Sequence, residues 1–129
     1  MNNSQVVETS KAPAPVGPYS QARWCGDMLF CSGQISLDPA SGELRGNTAA
    51  EQAALLFKNV DAVLEAAGLG REHVVKVTVF LVDMDDFTSV NQAYAEYFSE
   101  DAPYPARSCI AVSALPKGAL VEMEMVASR

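Results

Sequence analysis

Histidine and cysteine are both scarce in this sequence. It contains one histidine, His73, and three cysteines, Cys25, Cys31 and Cys109, no two of which have Cys-x-x-Cys spacing. Zinc and iron–sulfur sites are built from clusters of these residues, so no metal site is predicted. An odd number of dispersed cysteines is typical of reduced thiols in a cytoplasmic protein. Glycine-rich phosphate and dinucleotide motifs are absent as well, and no cofactor is predicted.

Positive charge is also scarce. The chain has 9 Lys and Arg against 16 Asp and Glu, which gives a net charge of −7. Nucleic acids and anionic membranes are bound by basic surfaces, so neither is expected as a partner. No apolar run approaches the ~20 residues of a membrane span. Residues 1–5 are polar and lack the features of a secretory signal, so the sequence predicts a cytoplasmic protein.

The apolar residues that are present suffice for one core. A chain of 129 residues with 49% hydrophobic content predicts a single domain over residues 1–129. A capping box of Thr48 and Glu51 starts the first predicted helix, and Gly68 ends it. Asp85 or Asp86 caps the second, whose apolar stripe is Phe87, Val90, Tyr94, Tyr97 and Phe98. Strands are predicted over residues 6–8, 21–24, 28–33, 73–82 and 120–127, and from Arg107 toward Leu115.

This order of elements, β-β-β-α-β-α-β-β, predicts an α+β domain in which two helices cover one face of a mostly antiparallel, six-stranded sheet. Side chains alternate along a strand, so each sheet face can be considered separately. In the fourth strand, Val75, Val77 and Val79 share one face, while Val74 and Phe80 lie on the other. A strand that is apolar on both faces should be buried on both. Because the helices cover only one face, the sequence predicts a homo-oligomer.

The same alternation suggests where polar chemistry lies. We expect the apolar faces of the last two strands, with Ile110 on one and Met123 on the other, to meet the helices. The opposite faces then carry Arg107 and Cys109 on one strand, and Glu122 and Glu124 on the next. Arg107 and a glutamate are thus predicted to point together toward the subunit interface.

Arg107 with a nearby glutamate has two interpretations. The pair could be an interfacial salt bridge that holds subunits in register. Alternatively, Arg107 holds a ligand carboxylate through two parallel hydrogen bonds while a glutamate activates water. Cys109 is a candidate nucleophile, but a packed strand cysteine is the favoured interpretation, since nothing ties His73 to it.

Three further residues have open assignments at this level. Tyr19, after Gly17-Pro18, is either a ligand wall or the apolar anchor of its loop. Asn91 lies one turn after Phe87 and faces either inward or toward solvent. Gly33 ends a strand, where it permits either a close approach of ligand to backbone or a plain bulge.

Several short segments, spread along nearly the whole chain, match the pattern of one family in order: Gly17-Pro18-Tyr19-Ser20-Gln21, Ser32-Gly33-Gln34, Glu65-Ala66-Ala67-Gly68-Leu69, Asp86-Phe87, Val90-Asn91, Pro105-Ala106-Arg107-Ser108-Cys109-Ile110, Leu115-Pro116 and Val121-Glu122-Met123. Through these segments the sequence resembles the reactive intermediate deaminase (Rid, or YjgF-like) family. Because it retains Arg107, it resembles the archetypal RidA subgroup in particular. This resemblance implies a chorismate-mutase-like fold, a homotrimer with sites at subunit interfaces, and no cofactor.

The implied activity is hydrolysis of 2-iminopropanoate and 2-iminobutanoate, together with the related 2-aminoacrylate, to 2-keto acids and ammonia. In the implied site Arg107 holds the substrate carboxylate and Glu122 positions the water as general acid/base. The backbone at Cys109 and Gly33 contacts the imine end, Tyr19 closes the pocket across the interface, and Asn91 completes the binding residues.

Two other functions are compatible with the same family. One is a regulatory module that binds a keto acid without turnover. The other is a ribonuclease, which the acidic composition and the single histidine disfavour.

Overall fold

The computed structural model describes residues 5–99 and 102–129, so the expectation for the first four residues lies outside it. Within these ranges, neither helix is both long and apolar enough to span a bilayer. The helices are α1 (Ala49–Ala66) and α2 (Phe87–Phe98). The strands are β1 (Val6–Val7), β2 (Ala22–Cys25), β3 (Met28–Gln34), β4 (Val74–Leu81), β5 (Ala106–Ala111) and β6 (Val121–Ser128).

The strands form one six-stranded sheet in the order β1-β2-β3-β6-β4-β5. Neighbouring strands are antiparallel except β4 and β5, which are parallel and connected through α2. Both helices contribute to one continuous core with β3, β4 and β6. The predicted α+β class, the element order and the two-helix layer are confirmed.

The ends of α1 follow from local chemistry. The Thr48 side chain accepts a hydrogen bond from the Glu51 N–H at 3.1 Å, as predicted. The Glu51 carboxylate, however, accepts from the N–H of Asn47 at 2.8 Å, one residue before the predicted partner. At the other end Gly68 has φ +77° and Leu69 N–H donates to Leu64 C=O, which is a Schellman termination.

The start of α2 differs from the prediction. Asp86 occupies the cap position but its side chain makes no capping hydrogen bond. Instead, the Asp83 carboxylate accepts from the N–H of Asp85 at 2.9 Å and caps the short 3₁₀ turn that leads into α2. Sequence spacing alone did not reveal this extra turn, so the cap was placed two or three residues too late.

A bulge changes which valines of β4 face the helices. The pairing of β4 with β6 shifts between Val74 and Lys76. Val74 is consequently buried with Val77, while Val75 is 43% exposed. The predicted faces of Val74 and Val75 were therefore wrong, because an extra residue reverses the alternation on one side of the bulge.

The predicted faces of β5 were also wrong. Arg107 pairs in register with Val77, and Cys109 with Val79, both of which are buried under the helices. Arg107 and Cys109 therefore lie on the helix side, whereas Ile110 lies on the open side and is 46% exposed. The error arose because apolar side chains were assigned to the helix layer, although the open face is apolar too. Phe30, 52% exposed, lies on the same open face.

One buried glutamine fixes the loop that precedes β2. The Gln21 side-chain amide donates to the carbonyls of Thr9 at 3.0 Å and Pro13 at 2.9 Å, and its oxygen accepts from the Thr9 N–H at 2.8 Å. Gln21 is only 3% exposed. Backbone groups of a proline-rich loop have no strand partners, so this side chain satisfies them instead.

We predict that Gln21→Ala lowers the free energy of unfolding by about 2–3 kcal/mol, because several partly buried backbone groups lose their partner. Urea unfolding followed by circular dichroism measures the change. Gln92→Ala, at an exposed position of α2, is the matched control and should stay within about 0.5 kcal/mol of the wild type. Equal stability of the two variants would contradict the assigned role of Gln21.

Candidate functional site

Arg107 lies at the start of edge strand β5, where α2 passes over it. One guanidinium nitrogen donates to the Asn91 side-chain oxygen at 2.7 Å. The guanidinium carbon lies 4.7 Å from the centroid of the Tyr94 ring and 5.5 Å from that of Phe87. Within the described residues no carboxylate pairs with Arg107, and its side chain is exposed. An open cavity of about 460 Å³ adjoins Arg107, Asn91 and Tyr94.

Helical spacing explains this arrangement. Phe87, Asn91 and Tyr94 stand at positions i, i+4 and i+7 of α2 and share one face. From the sequence, Phe87 and Tyr94 were predicted only as core residues. The signal that would have found them is the polar Asn91 set between two aromatic residues on that face, which predicts a boundary between core and a polar partner.

Cys109 lies two residues beyond Arg107 on the same side of β5. It is half-buried and packs against the core. Burial raises the pKa of its thiol, and the nearby Arg107 cation only partly opposes this effect. A thiol with a raised pKa is a poor nucleophile, so the geometry favours the packed-cysteine interpretation.

Glu122 belongs to a separate pocket on the open side of the sheet. Its side chain is half-buried and lines a cavity of about 510 Å³ together with Tyr19 and Gly33. Burial raises the pKa of the Glu122 carboxyl, and the neighbouring Glu124 raises it further. A carboxyl group with a raised pKa exchanges protons more readily near neutral pH than an ordinary glutamate does.

Gly33 makes room for the Glu122 carboxylate. It lies in a bulge of β3, between Cys31 and Gln34, where pairing with β6 shifts by one residue. A Cβ atom at this position would overlap the Glu122 side chain. The predicted bulge at Gly33 is therefore confirmed, and the glycine also admits the Glu122 side chain. The other alternative, a close approach of a ligand to the Gly33 backbone, stays a prediction.

Tyr19 stands at the mouth of the same pocket and is 51% exposed. Its loop is tied to β3 because the Ser32 hydroxyl donates to the Ser20 carbonyl at 2.6 Å. Further residues that were not predicted as site residues line the same wall. They are mostly apolar, apart from one lysine: Pro13, Val16, Ile35, Leu37, Pro116 and Lys117.

The predicted site residues thus form two groups. Arg107, Asn91 and Cys109 lie on the helix side of the sheet, and Tyr19, Gly33 and Glu122 lie on the open side. In a single chain the sheet separates the guanidinium from the Glu122 carboxylate. The predicted shared face of Arg107 and Glu122 was therefore wrong. Among the described residues, no three His, Cys, Asp or Glu side chains are grouped as potential metal ligands.

Comparison with known proteins decides the family. The model of the family described as Endoribonuclease L-PSP matches residues 9–129. The chain belongs to the Endoribonuclease L-PSP family. The RutC family protein y4sK of Sinorhizobium fredii is 51% identical over 122 residues, which cover 95% of each chain. The human 2-iminobutanoate/2-iminopropanoate deaminase is 46% identical over 123 residues, covering 95% of this chain and 88% of the human protein.

The fold is shared with solved structures of the same kind. The crystal structure of Escherichia coli TdcF with bound serine has a TM-score of 0.90 and 42% sequence identity, and the match covers 96% of this chain and 98% of TdcF. TdcF is named a putative reactive intermediate deaminase. The predicted resemblance to the reactive intermediate deaminase family and its fold is confirmed, so this Endoribonuclease L-PSP chain is a Rid-type protein.

We predict that Glu122 titrates above the usual range of a glutamate and that Glu124→Gln lowers its pKa. Removing a like charge makes ionisation of Glu122 easier, so the midpoint moves toward lower pH. Carbon-13 NMR of the labelled carboxyl groups measures the titration midpoint of Glu122 in the wild type and in Glu124→Gln. Glu96→Gln, at an exposed position of α2, is the control and should leave the Glu122 titration unchanged. A midpoint that rises or stays fixed in Glu124→Gln would contradict the stated cause.

Proposed function

We propose that this protein is an imine deaminase that hydrolyses small 2-imino acids, such as 2-iminopropanoate and 2-iminobutanoate, to 2-keto acids and ammonia. The observation that carries the proposal is that one chain contains two complementary groups of residues, here called half-sites, one around Arg107 and one around Glu122. One presents an exposed guanidinium without a carboxylate partner among the described residues, and the other presents a half-buried carboxyl with a raised pKa. The human relative named for this activity supports it.

We further propose a homotrimer in which Arg107 of one protomer meets Glu122 of the next. Two features support this arrangement. The two side chains lie on opposite faces of one sheet, so a second copy is needed to unite them. The open face exposes the apolar side chains of Phe30 and Ile110, which a second sheet would bury. Closed rotational symmetry then repeats the same composite site at each interface.

The chemistry needs few groups. Arg107 holds the substrate carboxylate with two hydrogen bonds, which orients the C=N carbon. Water adds to the carbon of the protonated imine while Glu122 accepts a proton from that water. Glu122 then gives this proton to the nitrogen of the resulting carbinolamine. The C–N bond then breaks, ammonia leaves with the bonding electron pair, and the hydroxyl loses its proton to give the keto acid and ammonium.

The other predicted residues serve this step in the proposed site. Asn91 supports Arg107 from α2. The backbone at Gly33 and Cys109 contacts the imine end, and Tyr19 covers the pocket. Because a protonated imine is already electrophilic, neither a metal nor a covalent nucleophile is required, and positioning and exclusion of water supply much of the rate.

A second candidate function is binding of a carboxylate ligand without turnover. The bound serine in the TdcF structure favours it, since serine carries an α-carboxylate but no imine. The family description also names an endoribonuclease. That activity is disfavoured because the chain is acidic and its only histidine, His73, already accepts a hydrogen bond from the Gly70 N–H at 3.0 Å.

We also propose a cytoplasmic location. The three cysteines are free, and burial raises the pKa of the Cys31 thiol to about 11, which keeps it protonated. Free thiols in this number fit a reducing compartment.

We predict that Arg107→Lys lowers kcat/KM for 2-iminobutanoate by at least about tenfold, because an ammonium group cannot reproduce two parallel hydrogen bonds. The imine is generated in situ by a threonine dehydratase, and formation of the keto acid is followed against the uncatalysed rate. Arg45→Lys, at an exposed position in the loop before α1, is the matched control and should retain activity. Wild-type protein that binds 2-ketobutyrate yet does not accelerate hydrolysis would favour the binding function instead.

We predict that two inactive variants restore each other. Arg107→Ala and Glu122→Gln should each be inactive alone. In a trimer with neighbour-shared sites, every mixed assembly contains one intact site of three, so equal co-expression should return about a quarter of the wild-type activity in the whole mixture and about a third in isolated mixed trimers. Differently tagged chains isolate the mixed trimers for assay. No recovery in confirmed mixed trimers, or a monomer by light scattering, would contradict the shared site.

A further inference from the structure

Tyr94 has two features that the chemistry above does not use. Its ring lies beneath the Arg107 guanidinium, 4.7 Å from ring centroid to the guanidinium carbon. Its hydroxyl is buried and has no hydrogen-bond partner among the described residues. The side chain is only 5% exposed, so the hydroxyl cannot obtain that partner from bulk solvent. An orphaned buried hydroxyl is rare and costs stability, which calls for a reason why the ring occupies this place.

The ring is held in one orientation by its aromatic neighbours. Phe98 lies 4.8 Å from it between centroids, and Phe57 meets it edge-on at 6.3 Å. Phe57 in turn stacks on Tyr97 at 3.9 Å. Tyr94 is thus a fixed surface, set by the core on one side and open to Arg107 on the other.

Arg107 consequently has three contacts with α2. The Tyr94 ring is the nearer of two aromatic rings beneath the guanidinium, at 4.7 Å against 5.5 Å for Phe87, and the Asn91 oxygen accepts from one nitrogen at 2.7 Å. An arginine side chain in solvent has many rotamers, and fixing it costs entropy when a ligand binds. A guanidinium that is already oriented binds a planar carboxylate with less of this cost.

We propose that Tyr94 is a positioning residue that orients Arg107 for carboxylate binding through the face of its ring. This inference rests on the proposed function of Arg107 as the carboxylate receptor. The hydroxyl plays no acid/base part, since burial raises the pKa of Tyr94 to about 12 and the Arg107 cation offsets that rise only partly. The ring supplies the effect, and the hydroxyl is dispensable for it.

The test compares variants that separate ring, hydroxyl and core packing. Tyr94→Leu removes the aromatic face and should raise KM for 2-iminobutanoate about fivefold, with kcat near the wild-type value, since the lost interaction acts on carboxylate binding. Tyr94→Phe keeps the face and should restore KM to within about twofold of the wild type, with a higher Tm, because the orphaned hydroxyl is gone. Phe98→Leu is the matched control, since it disturbs the same aromatic cluster without touching Arg107.

Two outcomes would overturn the inference. One is a KM in Tyr94→Phe as high as in Tyr94→Leu, which would assign the effect to the hydroxyl. The other is an equal rise in KM for Phe98→Leu, which would assign it to packing. Circular dichroism checks that each variant folds, and Tyr94→Met, whose unbranched side chain adapts to irregular gaps without a ring face, replaces Tyr94→Leu if the latter does not fold.

A ligand-free measurement separates this inference from the proposed function. The Arg107 Nε–H proton, assigned by its loss in Arg107→Lys, should lie upfield in the wild type and move downfield in Tyr94→Leu, because the ring current is removed. If the signal moves as expected but the wild type neither binds 2-ketobutyrate nor hydrolyses imines, the proposed function fails and the placement of Arg107 by Tyr94 stands. If the signal does not move, the inference fails whatever the activity.

Discussion

The alternation of side chains across the sheet is the constraint on which the rest of this structure depends. Two helices bury one face, so every strand residue is committed either to that layer or to the open face. Two bulges, in β3 and β4, change this assignment locally. The bulge in β3 sets Gly33 against Glu122, and the one in β4 exchanges the environments of Val74 and Val75. Because β5 pairs in register with β4, the alternation also fixes Arg107 on the helix side, away from Glu122.

The charged side chains of the two half-sites differ in their exposure to solvent. Arg107 stays exposed, so its charge remains solvated while the Tyr94 and Phe87 rings and the Asn91 oxygen restrict its movement. Glu122 is half-buried beside a second carboxylate, an arrangement that costs electrostatic energy and raises its pKa. In the proposed site an acid/base group has to gain and lose a proton, and the raised pKa of Glu122 fits that proposed role.

Local patterns in the sequence predicted most of the fold. The boundaries of helices and strands leave signals in the sequence within a few residues. Examples are the Thr48 cap and the Gly68 stop of α1, and the turn residues that flank the strands. The bulge at Val74 and the extra turn capped by Asp83 leave no such signal, because they arise from pairing with β6 and from the path into α2. The prediction that Ile110 faces the helices was wrong for a different reason. Burial under helices and burial by another protein copy select the same apolar residues, so hydrophobicity alone cannot distinguish them. The site residues themselves came mainly from the family resemblance, since physics alone left Tyr19, Gly33 and Asn91 open.

Dividing the proposed site between protomers has a physical consequence for control of the reaction. A single chain presents an arginine that can hold a carboxylate but lies across the sheet from Glu122, and a glutamate that can activate water but has no receptor beside it. In the proposed trimer, assembly would unite the two groups and exclude water from the open face, which would strengthen the electrostatic interactions of both. Folding would then prepare each half-site separately, and association of the apolar open faces would complete the proposed site. In this arrangement the free energy that buries Phe30 and Ile110 also brings Arg107 and Glu122 into register, so the stability of the interface and the activity of the site are coupled.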